Sequence, residues 1–134
     1  MRQTRSQTIM FRNPFKNTLY IKVHPNRFDL KHIESGKSLS AVSPTPFTTS
    51  RLLVGQFLAA HETLKAAIKS LYAGQLFAPS PVAVIHPLEK CEDGLSEVEE
   101  RALHELAAGA GARKVVVWVG HALSDSEVLA KLST

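Results

Sequence analysis

Two short apolar runs, PSPVAVIHP (79–87) and KVVVWV (114–119), are separated by room for a single helix. They constrain what this chain can become more than any other feature. Both are rich in β-branched residues and lack the alternation of a half-exposed strand, so they read as strands covered on both faces. Between them, Ser96-x-x-Glu99 forms a capping box. Val98, Ala102, Leu103, Leu106 and Ala110 then recur at helical spacing. The turn AAGAGAR follows, where Gly109 and Gly111 let the helix stop and reverse, because glycine accepts positive φ without steric cost. A strand, a returning helix and a second buried strand make a parallel crossover.

Upstream the pattern changes. TLYIKVH (18–24) alternates, with Leu19, Ile21 and Val23 on one face, and RFDLKHI (27–33) alternates again. Pro25-Asn26 and ESGK are turns, and SLSAV (38–42) is a weaker third strand, so these three form an antiparallel meander. After the loop SPTPFTTS, Ser50 is the expected N-cap of a helix carrying Leu53, Phe57, Ala60, Leu64, Ile68 and Leu71, with Gly55 inside it and Gly74 at its end. A second capping box, Ser124-x-x-Glu127, opens a short terminal helix through Val128, Leu129 and Leu132. The sum is an α/β fold: a mixed five-stranded sheet in order 3-2-1-4-5 with three helices, its first, fourth and fifth strands parallel. That is the ribonuclease-H-like order.

Charge divides the chain into a basic arm (1–16) and a single domain (17–134). Arg2, Arg5, Arg12 and Lys16 stand in a stretch without an acid, and the remaining 12 basic side chains are balanced by 12 acidic ones. Such an arm could contact nucleic acid or anionic lipid, with Ile9, Met10, Phe11 and Phe15 as an apolar foothold; the plain alternative is a solvated terminus. The apolar stretches fall short of a membrane span, and a lone cysteine, Cys91, fits a reducing compartment. The expected location is the cytoplasm.

SEVEERALHELAAGAGARKVVVWV resembles a segment of bacterial actin homologues of the MreB rod-shape type, where a V-E-R-R-A-x-x-E helix meets a G-A-G-A-R turn and an apolar strand. QLFAPSPVAVIHP resembles the R-P-S-P-x-V-L-V-x-x-P strand of the same family. The frame LYIKV, RFDLKHIESGK, RLLVGQFLAAHETL, GLSEVEERALHELAAGA and LSDSEVLAKL is similar to small YjaA-type proteins of enterobacteria. Together these imply an actin-like subdomain standing alone, with a stress-related or cell-shape-related role. Actin-type nucleotide binding is not expected: where the first phosphate loop would open with D-x-G, this chain has Lys22, His24 and Pro25, and proline donates no N–H. Ribonuclease H chemistry needs carboxylates on the first strand, which has none. No cofactor and no enzymatic activity are expected.

One constellation invites a ligand. His24, His86 and His121 are expected just after the three parallel strands, at the carboxyl edge where open α/β sheets bind ligands. Cys91, with Glu89, Glu92 and Asp93, lies on the following loop. Imidazoles with a thiolate are zinc chemistry, against the simpler reading that strand-end histidines cap carbonyls. Cys91 with His86 as a nucleophilic pair, or Cys91 as a redox sensor, are further readings of the same residues. The leading expectation is a non-enzymatic adaptor that binds a protein partner, or itself, through an exposed sheet edge or helix face.

Overall fold

The structure, a computed structural model, describes residues 16–75 and 79–133. Its elements are β1 (Thr18–His24), β2 (Arg27–His32), β3 (Ser38–Val42), α1 (Phe57–Leu71), β4 (Val82–Pro87), α2 (Glu97–Gly109), β5 (Lys114–Val117) and α3 (Asp125–Leu132). The five strands lie in the order β3-β2-β1-β4-β5. β1 runs parallel to β4, β4 parallel to β5, and β2 antiparallel to both neighbours. Order and directions are those the sequence implies. The arm positions Arg2, Arg5 and Arg12 lie outside the described residues, while Lys16 is exposed.

Strand alternation sorts the side chains to two faces. Leu19, Ile21, Val23, Phe28, Leu30, Ala83 and Ile85 turn toward α1 and α2, where Ala60, Leu64, Leu103 and Leu106 complete the main core. Tyr20 and Val84 turn the other way and meet Val128 and Leu132 of α3. Eight residues of helix span only about 12 Å, so α3 covers β4, β5 and part of β1. The second face of β2 and β3 carries Arg27, Asp29, Lys31 and Ser40, with Val42 beside Arg27.

Four details differ from the sequence reading. Ser50 is not an N-cap: α1 begins at Phe57 after Gln56, and residues 43–56 form a packed loop. Asn26 Oδ1 accepts the N–H groups of Phe47 and Thr48 at 2.8 Å, the Phe47 carbonyl accepts those of Gly55 and Gln56, and the Phe47 ring stacks on Phe28 at 5.0 Å. These bonds hold the backbone out of a helix. Gly55 is in that loop, pressed against Thr49: a Cβ there would lie 2.3 Å from Thr49 Cγ2. Second, β5 is half-buried because it is an edge strand. Third, Val98 is 78% exposed, because the buried face of α2 is made by Leu103, Leu106 and Ala107 further along the helix. Fourth, Gly111 takes the positive φ (+119°) of the turn, whereas Gly109 ends the helix where a Cβ would stand 3.0 Å from His61 Cε1.

Candidate functional site

The expected carboxyl-edge site does not assemble. Among the described residues no group of three or more His, Cys, Asp or Glu side chains is placed to hold a metal ion. His86 lies within β4, not beyond it, and is fully buried on the face that α3 covers. His24 Nε2 lies 3.0 Å from Asp29 Oδ2, off the line of a hydrogen bond. Burial pushes the Asp29 carboxyl up, but bonds from Ser40 and Arg27, with the charges of Arg27 and His24, outweigh it and hold the group below its usual range. His121 stands in the loop after β5, 3.3 Å from Glu127 Oε2. Cys91 Sγ donates to the Pro87 carbonyl at 3.6 Å. Burial pushes its thiol up, and Glu92 and Glu99 push the same way. That environment favours the protonated, unreactive form.

His86 is tied by a chain of bonds that fixes its protonation. The Gly120 carbonyl, 2.9 Å from Nε2, can only accept, so Nε2 carries the proton. Nδ1 is then a lone pair and accepts the Tyr20 hydroxyl at 2.8 Å. The Tyr20 oxygen in turn accepts the Leu123 N–H at 3.0 Å. With both nitrogens engaged, the neutral ring has no lone pair to offer a metal.

A second polar cluster escaped the sequence reading. Asn17 is only 4% exposed. Its Oδ1 accepts from His32 Nε2 at 2.8 Å and from the Tyr72 hydroxyl at 2.5 Å, and its Nδ2 donates to the Pro79 carbonyl. His32 Nδ1 accepts the Ser35 hydroxyl at 2.7 Å. Burial holds the Tyr72 hydroxyl up at about 12, with Glu34 adding to it, so it stays a donor. Glu34 accepts the Thr18 N–H and hydroxyl at 2.8 and 2.7 Å. The cluster joins the start of β1, the β2–β3 turn, the end of α1 and the approach to β4. Only the neighbouring turn residues hinted at it.

The surface with room for a partner lies on the other side. A groove of about 610 Å³ runs between β3 and α1, floored by Leu39, Ala41, Ala59 and Ala67, with Glu62 its one charged lining residue. β3 is an outer strand. The bonds His32 N–H to Lys37 O and Ser43 N–H to Asn26 O set the ladder phase. By alternation, Leu39 and Ala41 bond to β2, while the N–H and C=O groups of Ser40 and Val42 point outward, with no partner among the described residues. Val42 is 70% exposed and Leu58, on the groove rim, 67%. No helix among the described residues is long and apolar enough to cross a membrane.

No protein-family model matches the chain. It is 35% identical over 125 residues to a protein of Escherichia coli (strain K12) named uncharacterized protein YjaA, an alignment covering 87% of this chain and 97% of that one. At that identity, over nearly the whole of the relative, the chain belongs to the YjaA family.

Proposed function

We propose that this chain is a non-enzymatic cytoplasmic interaction protein that receives an extended segment of a partner protein as an added strand beside β3. The groove between β3 and α1 carries the reading: outward N–H and C=O groups supply main-chain bonds, and the apolar floor takes alternate side chains. The groove's shape and charge define the occupant's chemistry. Small or aliphatic side chains suit Leu39, Ala41 and Ala59, and a basic residue suits Glu62. The strand order, with only β2 reversed, supports reading the fold as a ribonuclease-H-like, actin-type subdomain kept without a nucleotide site. A role in stress, from the YjaA-type resemblance, or in cell shape, from the resemblance of residues 109–113 to a rod-shape protein turn, is part of the same proposal.

A photo-crosslinking residue in place of Leu58, in the full chain in cells, tests it. The expected adduct is an extended apolar segment of a different protein, and a synthetic peptide of that segment binds the purified chain. Val42→Pro removes an outward N–H while sparing every β2–β3 bond, so it weakens that binding at least about tenfold, the loss of roughly one well-made bond. Adducts only between copies of this chain, or affinity unchanged by Val42→Pro, overturn the proposal.

A further inference from the structure

The buried His86 has no part in the β3 groove, yet its bonds hold one segment in place. Residues 118–124 lead from β5 to α3, and two backbone groups of that segment, the Gly120 carbonyl and the Leu123 N–H, are the outer ends of the His86–Tyr20 chain. The helix beyond is held by side-chain packing and a few surface contacts. Val128, Leu132 and Leu123 pack on Tyr20, Val84, Val116 and Trp118. Lys31 reaches Asp125 at 2.9 Å and Lys131 lies 3.9 Å over the Trp118 ring. An eight-residue helix is not stable apart from such packing.

Every donor and acceptor in the chain is matched only when the ring is neutral. A proton on Nδ1 meets a hydroxyl that is itself donating to it, and turning that hydroxyl away leaves it unpaired in an apolar pocket. Among the described residues the new charge has no counterion in contact. The groups facing it are Tyr20 and Lys22 from β1 and His121 from the loop. α3 presents Glu127, engaged with His121 and its own capping box, and Asp125, engaged with Lys31. Lys131 covers Trp118 and Lys114 of β5 reaches the Leu132 carbonyl. The protonated ring is relieved by water, which enters if residues 118–124 lift away. Burial, with Lys22 and His121, already holds the imidazole below its ordinary range.

We infer that protonation of His86 undocks residues 118–133, melting α3 and uncovering the apolar strip of Tyr20, Val84 and Val116 on the second face of the sheet.

Amide hydrogen exchange on the full chain from pH 7.5 to 5, corrected for intrinsic rates, tests the switch. Protection of α3 should fall below pH 6.5, by up to about tenfold per unit, while α1 and α2 keep theirs. His86→Gln, whose amide can make both bonds without titrating, should abolish the fall, and His32→Gln should not. Constant α3 protection, or the same fall in His86→Gln, overturns the inference. Should His86→Gln fail to fold, imidazole nitrogen shifts of the wild-type chain decide: His86 must titrate in step with α3, and a ring that titrates under a protected helix overturns it.

Discussion

Replacing Asn17 with alanine should be strongly destabilising, and the cost can be worked from its bonds. The amide is 4% exposed and makes three side-chain hydrogen bonds, to His32, Tyr72 and Pro79. Each is worth about 0.5–1.5 kcal/mol net, and an orphaned buried partner about 1–3. The partners differ in how easily they recover. Pro79 lies on the surface and its carbonyl can take water. His32 Nε2 has Glu34 Oε1 only 3.6 Å away. The Tyr72 hydroxyl, between β1 and the end of α1, has the least recourse. Taking full loss at Tyr72 and partial loss at the other two gives about 3 kcal/mol, which for a domain of this size lowers Tm by about 10 °C. Urea denaturation followed by circular dichroism should show a lower midpoint with an unchanged slope. Tyr72→Phe alone should cost about 1 kcal/mol and add less than fully in the double variant. A loss under about 0.5 kcal/mol for Asn17→Ala would mean that the cluster is solvated decoration, and the accounting would fail.

Gly120→Ala should destabilise by about 2 kcal/mol or more, because φ is +150° and the new Cβ would sit 2.7 Å from Trp118 Cζ2; thermal melts check it. Stability should fall on acidification from pH 7 to 5, because His86 and His32 are both held below the free value of 6.5 by burial. The unfolded chain then binds protons the folded one refuses, so stability declines from about pH 6.5 downward until the folded rings titrate; urea midpoints across pH measure it, and a flat profile refutes it. Cys91, with its thiol raised above 9.0 by burial and then by Glu92 and Glu99, should alkylate at pH 7 more slowly than a free cysteine. A rate faster than glutathione would restore it as a reactive group.

The sheet was legible because its signals are local and independent. Alternation in residues 18–33, apolar runs at 79–87 and 114–119, and two capping boxes each name an element, and chirality then leaves few ways to connect them. The start of α1 was not legible. Its helical spacing extends upstream through Leu53, but Asn26, some twenty residues earlier, captures the backbone at Phe47 and Thr48, a tertiary bond that no local pattern announces. The histidine site failed by a small displacement. Placing His86 inside β4 instead of past its end turns a surface ligand into a buried hydrogen-bonded ring, because alternation points it at α3. The Asn17 cluster draws on the ends of β1, β2 and α1, and single residues scattered so widely carry no spacing signature.

The two margins of the sheet are not equivalent, and this decides what kind of assembly the fold permits. β5 is four residues long; Arg113 before it is tied to the Ser80 carbonyl, and its first residue, Lys114, to the Leu132 carbonyl; short, lysine-bearing margins resist annealing to another chain. Only β3 offers a longer row of outward amides. A visiting strand therefore extends the sheet at one end only, and two identical copies meeting there would bury their open margins against each other. Among the described residues, pairing through the sheet margins favours a closed pair over an open filament.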